Sequence, residues 1–411
     1  MTTDLEPATP KPLAHPVRMR VIEDLHRNRL TVFFRFLLAI PHLIWLSIWT
    51  LGVVIVGFIA WFVVLIKAEM PAGLHRFFTM YIRYATHVTA YLNLAANPFP
   101  GFLGENGYEV DLEFDPPARQ NRWKTGFRFI LGFPALLLGS VLGGSSLVQS
   151  SAYGFQSAGL LAITGFLIWF YALVRGRAPE GLARLQWYCL HYGAQLSAYM
   201  LLLTDRYPTT NPERMGVPWP QPAHPITLVS AEEDGRRSRL TVFFRLALAT
   251  PHLVWLTLWG YLVQLLALVN WLVTLIAGRP VGALHRFFCA YARYQLHVYS
   301  FVTLTTNPFP GFVGRAGSYP VDLEIAAPGR QNRWKTLFRL FLAFPAFFVL
   351  LGLQYALLIA AFFGWFVALI TARMPEGLRK LELLALRYAA QVNGYTVLLL
   401  TDRYPYAGPP A

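Results

Sequence analysis

Hydrophobic and polar positions along this chain are sorted into four rounds, each containing a long stretch with no charged residue. The stretches cover residues 36–66, 129–174, 246–278 and 340–372, and every Asp, Glu, Lys and Arg lies outside them. A run of more than about 18 apolar residues without charge reads as a membrane segment, because an ionised side chain at the bilayer centre costs several kcal/mol. Ahead of each stretch lies a short alternating segment: VRMRV from Val17, VDLEF from Val110, ITLV from Ile226 and VDLEI from Val321. Their period of two predicts short strands, which could pair into a small extramembrane sheet. Behind each stretch comes an amphipathic helix. In the first round Phe77, Tyr81, Tyr84, Val88, Tyr91 and Ala95 share one face, opposite Arg76, Arg83 and His87. The third round repeats this with Phe287, Tyr291, Tyr294, Val298 and Phe301 opposite Arg286, Arg293 and His297. An aromatic face backed by a basic one predicts a helix lying in the membrane interface.

The rounds are copies. RLTVFFR at 29–35 returns at 239–245, HRFF at 75–78 returns at 285–288, and NPFPGF at 97–102 returns at 307–312. QNRWKT, TDRYP and PEGL recur in the other part of each half. All four rounds share two arginines and a proline at six-residue steps: Arg29/Arg35/Pro41, Arg122/Arg128/Pro134, Arg239/Arg245/Pro251 and Arg333/Arg339/Pro345. Pro-x-Gly follows each apolar stretch, and then a matched tyrosine at Tyr84, Tyr192, Tyr294 and Tyr388. A duplicated duplication accounts for this, with units at 17–108, 109–210, 224–318 and 319–405. Residues 211–223 read as a linker. Residues 1–16 and 406–411 read as disordered, and no cleavable leader is expected at the N-terminus.

Each apolar stretch fits either one long tilted helix or a hairpin that returns to its own side. As a single helix, 31–33 residues would run about 47–50 Å, against a hydrocarbon core of roughly 30 Å. The Lys and Arg counts of the five polar segments are 6, 7, 9, 8 and 5, with no alternation for the positive-inside rule to act on. The second stretch also carries a turn-like insertion, GGSSLVQSSAYGFQSAG, which suits a loop better than a lipid-facing helix. The expectation is therefore mainly α: a polytopic helical membrane protein of four units, each a transmembrane hairpin plus an amphipathic interfacial helix, with a short β-strand before each hairpin. Four long tilted helices remain the alternative.

Composition sharpens this in a few places. Hydrophobic residues make up 55% of the 411, charged residues only 14%, and the formal charge is +14. Concentrated in the polar segments, that charge suits anionic lipid headgroups, and no nucleic-acid module is visible. The two cysteines, Cys189 and Cys289, make no disulfide framework and no metal cluster. Arg29, Arg35, Arg122, Arg128, Arg239, Arg245, Arg333 and Arg339 are candidates for gripping lipid phosphates. Arg83, His87, Arg293 and His297 are candidates for lining a polar path. His42, His75 and His87, matched by His252, His285 and His297, could hold a proton path or a metal, or serve only local packing. No nucleophile elbow, phosphate loop, dinucleotide fingerprint or zinc motif is present, and no catalytic residue, cofactor or metal is expected.

The order RLTVFFR, IPHLIW, WFVVLI, Pro-x-Gly-Leu and TDRYP resembles the bacterial membrane family catalogued as domain of unknown function 4389, in tandem copies over nearly the whole chain. The NPFPGF ends of units one and three depart from the TDRYP form. The resemblance implies a bacterial cytoplasmic membrane location and no particular activity. The favoured reading is a non-enzymatic, multi-pass membrane scaffold with cytoplasmic termini, contacting anionic lipid and protein partners. A transporter or channel with parallel repeats and a lipid-binding or lipid-modifying protein are the alternatives.

Overall fold

A computed structural model describes residues 15–22, 24–143, 159–215, 222–231 and 235–409. The readings made for residues 1–14, 144–158, 216–221 and 410–411 lie outside the described residues. The chain is mainly helical. It runs β1 (Val17–Val21), α1 (Arg29–Lys67), α2 (Ala72–Leu92), β2 (Val110–Phe114), α3 (Arg122–Gly126), α4 (Arg128–Leu142), α5 (Leu160–Arg175) and α6 (Glu180–Met200). The second half repeats this with β3 (Ile226–Ser230), α7 (Arg239–Phe243), α8 (Arg245–Ala277), α9 (Gly282–Val302), β4 (Val321–Ile325), α10 (Arg333–Leu337), α11 (Arg339–Thr371) and α12 (Glu376–Thr396).

Three of the four apolar stretches are single continuous helices where hairpins were expected. α1, α8 and α11 run unbroken through Pro41, Pro251 and Pro345 and are long and apolar enough to cross a membrane, which associates the chain with lipid. The fourth is interrupted without folding back. A Cβ built on Gly159 would lie 2.7 Å from the Gly143 Cα, so the chain re-enters beside the point where it left. Taken as 128–143 joined to 159–175, α4 and α5 match the 33 residues of α11. The turn composition that favoured a hairpin belongs to an insertion into one helix. A hairpin was also favoured because 31–33 residues exceed the bilayer, an argument that holds only for a helix crossing it.

The long helices form the outermost of three layers. On α1 the buried positions Val32, Arg35, Ala39, His42, Val53, Ala60 and Val64 lie on one narrow stripe, while large apolar side chains from Leu30 to Ile66 are exposed along the whole length. α8 has the same character. The stripes pack on α2, α6, α9 and α12, the helices expected at the membrane interface. These are instead the core: α6 buries sixteen of its twenty-one residues. Their other side carries the strands, with β2 on α2, β1 on α6, β4 on α9 and β3 on α12. The strands form two antiparallel ribbons, each joining neighbouring units: Val17 faces Phe114 in one, and Ile226 faces Ile325 in the other.

Each pair of units is fastened reciprocally. The long helices end in a left-handed residue (Ala68, Gly176, Gly278 or Ala372) whose carbonyl accepts a backbone N–H from the start of the partner unit. Arg27 N donates to Gly176 O at 2.9 Å and Gln120 N to Ala68 O at 2.8 Å; Arg237 and Gln331 repeat this on Ala372 and Gly278. Tryptophans add a second fastening: Trp61 Nε1 donates to Thr125 O at 3.0 Å and Trp169 Nε1 to Val32 O at 3.1 Å, with Trp271 and Trp365 matching. The two halves meet where α11 packs along α4 and α5. Tyr406 and Ala407, read as part of a disordered tail, pack against Gly181 at this junction, and Arg387 donates to the Gly408 carbonyl.

Candidate functional site

The twelve residues singled out from the sequence fall into three structural roles. Arg35, Arg128, Arg245 and Arg339 are 1–2% exposed and turn inward from the long helices. Each inserts its guanidinium into the C-terminal end of the following core helix, where the last carbonyls lack helical partners. Arg35 Nη1 donates to Tyr91 O at 2.9 Å and Ala96 O at 2.8 Å, and Nη2 to Asn97 O at 2.9 Å. Arg128 Nη1 reaches Tyr199 O and Thr204 O at 2.8 and 2.7 Å, and Nη2 reaches Gln120 Oε1. Arg245 and Arg339 repeat the pattern on Phe301/Thr306 and Tyr395/Thr401. In all four the guanidinium lies over an aromatic ring, 4.1–4.8 Å from its centroid. All four guanidiniums are enclosed by protein rather than presented at the surface, where lipid phosphates were expected to meet them.

The same helix ends carry a feature that sequence reasoning missed. Leu94, Leu202, Leu304 and Leu399 all sit at positive φ, between 50° and 69°, a conformation costly for a branched side chain. Their carbonyls are taken by one matched position: Arg27, Gln120, Arg237 and Gln331. A recurring leucine was the only available signal.

The outer arginines behave differently. Arg29, Arg122 and Arg239 are exposed and donate to Val174, Ile66 and Ile370 O, each at the C-terminal end of the partner unit's long helix, where a cation also meets the negative end of the helix dipole. Arg333 lies against Gly278 at the equivalent place. Trp123 and Trp334 stand beside Arg122 and Arg333 at 76% and 69% exposed.

Arg83 and His87 face β2. Arg83 Nη2 donates to Leu112 O at 2.9 Å, its Nε lies 3.1 Å from Asp111 Oδ1, and His87 Nε2 lies 3.2 Å from the same oxygen. Arg293 and His297 repeat this on Leu323 and Asp322, with His297 at 3.0 Å. The strands supply one carboxylate to each pair, Asp111 and Asp322. Burial opposes ionisation of the Asp111 carboxyl. The His87 contact and the Gly107 and Leu112 amides outweigh it and hold the carboxyl below its usual range. Burial pushes the His87 imidazole down.

The histidine trios do not converge. His42 lies under the NPFPGF turn, with Nδ1 2.9 Å from the Tyr84 hydroxyl and its ring stacked on Phe102. His252 repeats this with Tyr294 and Phe312. That accounts for histidine and NPFPGF occurring in the same units. His87 points to the strand instead. Among the described residues no group of three His, Cys, Asp or Glu side chains could hold a metal ion.

No curated protein and no solved structure matches the chain. A family profile does, and its four segments coincide with the four structural units. The profile described as Domain of unknown function (DUF4389) matches residues 29–103, 122–210, 239–313 and 333–407, and the chain belongs to that family as four tandem copies.

Proposed function

We propose that the protein is a non-enzymatic scaffold embedded in one leaflet, its long apolar helices lying along the membrane rather than across it. The carrying observation is the position of the first ribbon. Arg83, on the middle of α2, binds Leu112 and Asp111 of the ribbon. On its other side α2 meets the middle of α1, where Tyr81 OH lies 2.9 Å from Thr50 Oγ1 and the Trp49 ring stacks on Tyr84. Leucine-rich α1 is about 58 Å long at 1.5 Å per residue, so the ribbon sits behind its midpoint. There Arg18 pairs with Asp115 at 2.9 Å and with Glu113 at 3.7 Å, on side chains 36–57% exposed. An upright α1 would hold these charges at the bilayer midplane, at several kcal/mol each. A flat α1 places the apolar layer, one helix thick, among the acyl chains and the ribbons in water, the arrangement of an interfacial helix.

This orientation keeps all polar segments on one side, as the even spread of Lys and Arg implies, with no segment crossing. It sets the exposed Arg29, Arg122, Arg239 and Arg333 at the rim of the apolar layer, level with anionic headgroups. Arg83, His87, Arg293 and His297 support the ribbons, which argues against the transport reading.

Nitroxide depth measurements test the orientation. Probes replace Leu30, Leu37, Ile48, Ile55 and Ile66 in turn, all exposed on α1, after removal of the buried Cys189 and Cys289. Equal shallow depths at all five are expected. A profile deepest at Ile48 and shallowest at both ends overturns the proposal.

A further inference from the structure

A cleft of about 630 Å³ lies between α8 and α11, floored by α9 and α12. The two long helices are joined near their ends, α7 to α11 and α10 to α8, and the cleft opens between them. Its walls carry the apolar side chains of Val263 on α8 and Phe347, Leu350 and Leu357 on α11. Its lining is mainly apolar, with Gln264, Gln295, Gln354 and Asn393 as polar exceptions, and among the described residues it holds no ionisable acid or base other than tyrosine. Gln264 and Gln354 are exposed on the long helices, and neither amide has a protein hydrogen-bond partner among the described residues. In the floor, Asn393 Nδ2 donates to Gln295 Oε1 at 2.8 Å, leaving the Gln295 amide donor and the Asn393 carbonyl available.

Comparison with the first half separates these groups from scaffold. The positions matching Gln264, Gln295 and Asn393 hold Val54, Ala85 and Ser197. Tyr81 spends its hydroxyl on Thr50, whereas the equivalent Tyr291 faces Gly260 and has no such partner. An amide left unpaired in hydrocarbon costs several kcal/mol, so these groups need a polar occupant that arrives from the lipid side.

We infer that this cleft binds a neutral diacylglycerol-type lipid. Its hydroxyl and ester oxygens pair with Gln264, Gln354, Tyr291 and the Gln295–Asn393 pair, while its chains leave between α8 and α11. The volume suits a small-molecule site. The absence of any cation from the lining selects an uncharged headgroup over a phospholipid, because an unpaired phosphate would enter without a counter-charge. The inference rests on the one-leaflet reading, since it takes the opening between α8 and α11 to face acyl chains.

The test is photolabelling of the full chain in lipid nanodiscs. One sample carries a photoactivatable diacylglycerol, and another a photoactivatable phosphatidylglycerol with the same chains. The diacylglycerol probe is expected to label peptides of α8, α11 or α12 and to be competed by unlabelled dioleoylglycerol. The triple variant Gln264→Val, Gln295→Ala, Asn393→Ser, carrying the residues of the first half, is expected to lose at least tenfold of that labelling. Equal labelling by both probes, an undiminished signal in the variant, or no labelling of these helices overturns the inference. The α1 depth profile measured in parallel separates its failure from failure of the one-leaflet reading.

Discussion

A buried arginine without an acidic partner is costly unless its donors are used, and here the acceptors are mostly main-chain carbonyls. Arg339 serves Tyr395 O, Thr401 O and Gln331 Oε1 at once. A guanidinium fork matches such a cluster; an ammonium, a point donor on a flexible stem, does not. Arg339→Leu is expected to lower unfolding stability by about 3 kcal/mol or more, from the acceptors left unpaired. Arg339→Lys should recover only part of this, measured as denaturation midpoints in detergent. The sequence showed these arginines but not their role. Most of their acceptors lie 56–76 residues away and belong to the backbone, which carries no residue signature. The Asp111 contact was closer to legible, since VDLE occurs at 110–113 and 321–324, each following a helix with the Arg and His pair.

At the scale of elements, the strands, the amphipathic helices and the fourfold period follow from hydrophobic patterning. What patterning left open was continuity, because turn composition inside an apolar stretch looks the same in a hairpin and in an insertion. Deletion of residues 144–158, joining Gly143 to Gly159, is expected to leave circular dichroism, thermal stability and membrane partitioning near wild type. A true hairpin turn removed in this way would unfold the unit. The joint between β1 and α6 is where pH should act. His15 Nδ1 accepts from Val17 N, and His191 Nε2 lies 3.2 Å from Val17 O. Burial is the main cause that pushes each imidazole down from 6.5 to about 4. A depressed histidine contributes stability that is complete above pH about 6.5 and is lost as pH falls towards 4, because the unfolded chain then binds the extra protons. Loss at pH 4.5 should be on the order of 2–3 kcal/mol per histidine. Arg387 stands where α6 has His191, so hydrogen exchange at acid pH should open β1 before β3.

Across the whole molecule, three layers sort by chemistry: apolar helices outside, aromatic and polar helices in the middle, charged ribbons beyond. That order makes sense of a chain with 55% hydrophobic residues and a charge of +14, since the two populations occupy opposite faces. The stitching of Arg27 to Gly176 and Gln120 to Ala68 carries a consequence for ancestry. Neither unit can complete its own helix ends, and each supplies what the other lacks. A lone ancestral copy would therefore have needed a twin, clasping it as a symmetric couple before gene fusion wrote the embrace into one polypeptide. The present pair of halves is then the later event, free to let one member drift towards a new task.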